Sequence, residues 1–190
     1  DIVAPGQGFG RHPHDNMEII SLPLEGDLEH RDSMGNHSVI REGDIQVMSA
    51  GTGIQHSEYN ANADRPVKFL QIWLFPRQRD VRPRYDQLSL RELERPDTFF
   101  QILSPDADAQ GVWVHQDAWF HLGLFSRTLE LFYTMKREGN GLYVFVIDGT
   151  CHAAGHALTA RDGLGVWDTP SVNFTTSPDS TLLLMDLPMR

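Results

Sequence analysis

Among its 190 residues the chain has one cysteine, Cys151. A lone thiol excludes an internal disulfide framework and points to a reducing compartment, with the cytoplasm as the expected location. No apolar run approaches the roughly 18–20 residues of a membrane span, and the start lacks the form of a signal peptide. Basic residues are in deficit. Sixteen Lys and Arg against 26 Asp and Glu give a formal net charge of −10, which argues against direct nucleic-acid binding. Low-complexity sequence is missing, and helical periodicity nearly so: only SLRELE, 89–94, has helical form, over barely two turns. The hydrophobic fraction of 40% and charged fraction of 22% are those of a globular chain with room for real cores.

What is present is strand after strand. MEIISLPLEG, EGDIQVMSAGTG and VKFLQIWLFP come early; WFHLGLFS, TLELFYTM, GLYVFVIDGT and STLLLMDLP come late. They are rich in Val, Ile, Leu, Phe and Trp, are separated by turn residues, and predict an all-β sandwich or barrel. LPLEGDLEHRD…REGD and FVIDGTCHA…ARDGLG share a strand–Gly–strand rhythm, which suggests a duplicated β unit. The polar, proline-punctuated segment 76–98 reads as the connection between the units, giving domains 1–98 and 99–190. Arg77, Arg79, Arg82 and Arg84 within it read as a solvated face rather than an anion site. Trp73, Trp113, Trp119 and Trp167 read as core, while Met48 and Phe9 each flank a motif strand and read as core packing or as an apolar wall beside the site.

The histidines carry the chemistry. In GFGRHPHDNMEI, His12, His14 and Glu18 share one parity, so on one strand all three project to the same side. In GTGIQHSEYN, His56 and Glu58 are again two apart. Were the two strands neighbours at about 4.8 Å, three imidazoles and a carboxylate would converge on one point. Three nitrogens and one oxygen suit a divalent transition metal with open positions. Alone, each piece is weak: with nine histidines, a shuffled chain contains roughly 0.4 H-x-H pairs by chance. His30/Asp32 and His115/Asp117 have the His-x-acid form without other support. His30, His37, His115, His121, His152 and His156 therefore read as structural.

The ordered series adds more. GFGRHPHDNMEI…DSMGNHSVIREGDIQVMSAGTGIQHSEYN resembles the two motifs of the cupin superfamily and, more closely, the pirin family with its bacterial pirin-like quercetinases. The match runs through most of 4–76 and continues more loosely to LLLMDLP. The resemblance implies a bicupin: two β-barrel or jelly-roll modules packed face to face, metal in the first only. The chain begins at Asp1 rather than Met, and the resemblance implies that an N-terminal edge of the first barrel is missing. In general cupins the fourth ligand is the position of Glu18, in pirins that of Glu58. The spacing to Gly26 and the presence of Gly51 follow the pirin form, so the ligand set implied is His12, His14, His56 and Glu58. Glu18 then becomes an outer group bonded to a ligand imidazole or a bound water.

The same resemblance implies a quercetin 2,3-dioxygenase-type oxidoreductase. It would open the central ring of a flavonol with dioxygen and release carbon monoxide, with Glu58 as the catalytic base. Iron is the first expectation, with copper, nickel, cobalt and manganese compatible with the same donors. A flavonol and dioxygen are the expected partners and a monomer the expected state. A pirin-type metal- or redox-sensing regulator acting through protein partners is the alternative, and other cupin chemistry on a small acid a third.

Overall fold

Alternation of apolar and polar side chains dictates the architecture. In Ile54–Asn60, residues 54, 56, 58 and 60 are buried and those between them are more exposed, the signature of a strand with one face inward. The computed structural model describes residues 1–189 and is built almost wholly from such segments. One compact unit is Asp1–Glu92 with Asp106–Gln116; the other is Leu93–Pro105 with the chain from Asp117 onward. The division is thus no single cut, because 106–116 returns to the first unit after 93–105 has entered the second. No helix among the described residues is long and apolar enough to cross a membrane.

The first unit contains β1 (Ile2–Val3), β2 (Gly8–His14), β3 (Glu18–Glu25), β4 (Leu28–Asp32) and β5 (His37–Ile40). It continues with β6 (Asp44–Ser49), β7 (Ile54–Asn60), β8 (Val67–Leu74) and β9 (Arg84–Ser89). One antiparallel sheet runs β1–β8–β3–β6–β9, the other β2–β7–β4–β5. Val3, Leu28, Ile40, Val67 and Phe69, drawn from both sheets, pack into one core cluster. Each such side chain contributes about 1.5–3 kcal/mol on burial.

The chain then forms β10 (Phe99–Ser104), the short β11 (Val112–Trp113) that belongs to the first unit, β12 (Trp119–Phe125) and β13 (Glu130–Thr134). Next come β14 (Asn140–Asp148), β15 (Thr150–Ala153), β16 (His156–Thr159), β17 (Gly163–Val166), β18 (Ser171–Thr176) and β19 (Ser180–Pro188). Within the second unit one sheet runs β10–β12–β19–β14–β17 and the other β13–β18–β15–β16. Phe125, Tyr133, Val144, Cys151, Phe174 and Leu184 knit the two together. Cys151 is free and buried, and burial pushes its thiol up to about 11.

Four expectations need correction. Segment 76–98 is more than a connection, because 84–89 is β9, paired along its length with β6. Its alternation was hidden by outward charges. Arg84 is not solvated: it donates to the Trp113 carbonyl at 2.6 Å, lies 3.9 Å over the Trp113 ring and pairs with Asp86 at 3.2 Å. The helical form at 89–94 shrinks to a single 3-10 turn, Leu90–Glu92. Trp73 and Trp167 are not core residues but 53% and 59% exposed.

Candidate metal site

Strand β2 pairs with β7, and β7 with β4. Along β2 the register shifts between Phe9, opposite Glu58, and His12, opposite His56, so β2 carries one extra residue. Such a bulge re-aims side chains. Here it turns the Gly10 carbonyl toward the His12 ring, 2.7 Å from Nδ1. A carbonyl only accepts, so Nδ1 carries the proton and Nε2 keeps its lone pair free. The rings of His12 and His56 lie 4.4 Å apart, His12 and His14 4.9 Å, and His14 and His56 5.0 Å. One nitrogen from each lies within 4.8 Å of the others.

These residues fit a metal ion. Nε2 of His14 and both ring nitrogens of His56 are buried without a hydrogen-bond partner, an arrangement costly unless something else takes the one lone pair each neutral ring offers. The electrostatics agree. Burial, then the neighbouring His12, His30 and His14, brings His56 down to about 3. Burial and His12 lower His14 against the opposing pull of Asp15. Both rings are therefore neutral near pH 7, the form that ligates.

Glu58 sits on β7, two residues past His56, 1% exposed. Its carboxylate accepts from Gln71 Nε2 at 2.6 Å and from Ser21 Oγ at 3.3 Å. Burial raises its pKa; the bonds from Gln71 and Ser21 and the nearby His12 oppose that rise. One of its oxygens groups within 4.8 Å with His30 and His56 rather than with His12 and His14. His30, directly opposite Glu58 on β4, is fully buried, 5.4 Å from the His56 ring, with Nε2 3.3 Å from Asp32 Oδ2. Burial lowers its pKa, opposed by Asp32. His30 thus belongs to the site, which the isolated His-x-Asp pattern did not reveal. What brings it there is strand pairing, His30 opposite Glu58, which no spacing along a single strand shows.

Glu18 departs from expectation. Asn16, at φ +44°, ends β2 and lets the chain cross to the other sheet, so Glu18 begins β3 rather than continuing β2. Ser21 faces Glu58; Glu18, three residues earlier, faces the opposite side of β3. There it accepts from Ser49 Oγ at 2.7 Å and from the His115 backbone N–H at 3.2 Å. It bonds no ligand imidazole. The shared parity of His12, His14 and Glu18 has no meaning across a change of sheet.

The facing sheet supplies the other wall. Register places Trp73, Ile19, Met48 and Tyr85 in one row across β8, β3, β6 and β9. Met48 is fully buried in a core cluster with Ile19 and Ile54, which is core packing, whereas Phe9 is 42% exposed. Trp73 stands edge-on to His14 at 5.1 Å, and Tyr85 packs on His30 at 4.8 Å. Beside His14 the surface opens into a cavity of about 660 Å³ reaching Arg11, Asp15, Thr52 and Gln55. A larger cavity of about 830 Å³ in the second unit, lined by Trp167 and Met189 among others, has no histidine or cysteine in its walls.

Comparison with known proteins places the chain. Residues 1–74 match the Pirin family and 101–187 the Quercetinase C-terminal cupin domain. The quercetin 2,3-dioxygenase of Escherichia coli K12 is 37% identical over 188 residues, 99% of this chain and 80% of the relative. A pirin-like protein of Caulobacter vibrioides is 32% identical over 187 residues, 98% of this chain and 80% of the relative. The crystal structure of the bacterial pirin YhhW from Escherichia coli in complex with nickel(II) superposes with a TM-score of 0.92 at 36% identity, covering 99% of this chain and 80% of that one. The fold, the histidine cluster and these likenesses agree: the chain belongs to the pirin family of cupins.

Proposed function

We propose that the protein is a metal-dependent dioxygenase that opens the central ring of flavonols such as quercetin, with His12, His14, His56 and Glu58 as ligands. The observation that carries this reading is the convergence of three imidazoles on one point, with buried nitrogens on His14 and His56 that no protein group bonds. The likeness to a quercetin 2,3-dioxygenase over nearly the whole chain supports the choice of substrate. A divalent transition ion, iron first among them, would be held by these four residues and would supply Lewis acidity toward a substrate oxygen and redox capacity toward dioxygen.

The chain's own residues do the rest. Glu58 takes the proton of the substrate hydroxyl at a carboxylate oxygen, and the burial that raises its pKa makes it a stronger base. Gln71 and Ser21 hold that carboxylate in place. His12 keeps a fixed tautomer through Gly10. Ile19 and Met48, both buried, form apolar core packing that keeps water from the reacting atoms. Trp73, exposed beside His14, stands where a flat ring system would enter.

The test is oxygen uptake, loss of flavonol absorbance and carbon monoxide release by metal-loaded protein. The reading expects all three, and their loss in His14→Ala and Glu58→Ala. A protein that holds its metal and turns over no flavonol overturns it in favour of a regulator acting through partners.

A further inference from the structure

One register row across the first sheet sets Gln71, Ser21, Gln46 and Gln87 side by side on β8, β3, β6 and β9. Directly opposed residues on neighbouring strands share a face, so all four side chains lie on the face from which Ser21 and Gln71 reach Glu58. Three of the four have partners. Gln71 and Ser21 donate to Glu58. Gln87 Nε2 donates to the Val39 carbonyl and to Asp44, and its Oε1 accepts from the Tyr85 hydroxyl.

Gln46 is the exception. It is 1% exposed, and neither its amide nitrogen nor its amide oxygen has a partner. An unpaired buried polar group is costly, and a methionine of similar length would avoid that cost. A carboxamide here has a use only if something other than the protein bonds it. Its place in the row beside Ser21, on the face that reaches Glu58, points to a molecule bound next to that carboxylate.

We propose that Gln46 is a specificity-determining residue: Nε2–H donates to the ketone oxygen of the substrate and Oε1 accepts from one of its ring hydroxyls. The inference rests on the flavonol reading and deepens it, narrowing the substrate class to polyhydroxylated flavonols. Glu58 handles the reacting hydroxyl, Gln46 the ketone beside it and a hydroxyl elsewhere on the rings. A substrate lacking that second hydroxyl leaves Oε1 unpaired again. Sites built to bond a hydroxyl discriminate strongly against analogues that lack it.

The experiment compares wild type with Gln46→Met on quercetin and on 3-hydroxyflavone, which keeps the reacting hydroxyl and the ketone but no other hydroxyl. The wild type should favour quercetin in kcat/KM. Gln46→Met should lose about tenfold or more on quercetin, with the preference falling toward one. The thermal midpoint of the metal-free variant should be no lower than that of wild type, since no internal bond is lost. An unchanged preference, or a lower midpoint that marks Gln46 as structural, overturns the proposal. Wild type that consumes neither flavonol overturns the enzymatic reading and this inference with it. An active wild type whose preference survives in Gln46→Met overturns this inference alone.

Discussion

His12 and His56 stand directly opposite each other on neighbouring antiparallel strands, and one extra residue in β2 separates that pairing from the one between Phe9 and Glu58. The bulge is what brings the Gly10 carbonyl to His12 Nδ1. Deleting Arg11 restores a plain ladder and takes that acceptor away. The expected result is a protein that still folds but binds its ion about ten- to a hundredfold more weakly, as losses of a partner to a ligand imidazole do. Competition against a chelating indicator measures it. Unchanged affinity would show that the bulge is idle.

Gln71 holds Glu58 from one side and, through its Oε1, accepts from the Trp73 indole N–H at 3.3 Å. Gln71→Leu strips the shorter of the two bonds from a buried carboxylate and frees the indole. Metal affinity should fall about ten- to a hundredfold, and tryptophan emission should shift in the metal-free protein. Ser21→Ala removes only the 3.3 Å bond and should have the smaller effect. The reverse order would mean that the hydroxyl, not the amide, sets the carboxylate.

The strand content and the histidine cluster were legible because each depends on spacing along the chain. Residues two apart on a strand must share a face, so His12 with His14, and His56 with Glu58, could be paired from sequence alone. What pairs across strands was not legible. Ser21, Gln46, Gln71 and His30 reach the site through register, and register is set by turns such as the left-handed Asn16 rather than by the residues themselves. Glu18 was misplaced for the same reason, its parity carried across a turn where it ceased to apply. Segment 84–89 hid as a linker because Arg84 and Asp86, on its outer face, lend it the composition of one. Trp73 read as core because composition cannot tell which end of a strand lies at an opening.

Gly51 joins the second motif to the loop before β9. Its φ is +49°, and a Cβ there would lie 2.0 Å from the Val81 carbonyl oxygen, which also accepts the Thr52 N–H at 3.0 Å. Asn16, at the turn into β3, donates its own N–H to the Gly51 carbonyl at 2.9 Å. Gly51→Ala forces backbone to move on both sides. A loss of about 2 kcal/mol or more is expected, a drop of about 4–8 °C in melting temperature for a chain of this size. A drop under one degree would mean that the loop relaxes freely.

His121, on β12, lies buried beneath Tyr133 in the second unit. The Tyr133 hydroxyl donates to Asp186 at 3.1 Å, which leaves its oxygen to accept from His121 Nδ1 at 3.3 Å. Burial, and then Lys136, lowers the His121 pKa to about 4. Above pH 6.5 the ring is neutral folded or unfolded and contributes no pH dependence. Between 6.5 and about 4 the unfolded chain takes up a proton that the folded chain refuses, so stability falls with acid by at most about 1.4 kcal/mol per pH unit. Below that window both states are protonated and the slope ends. His121→Asn keeps an N–H donor toward Tyr133 and removes the titration. The metal-free variant should therefore lose less stability than wild type on going from pH 7 to 4, with the gap opening only below 6.5. Parallel profiles across that range would show that the imidazole takes up its proton without unfolding.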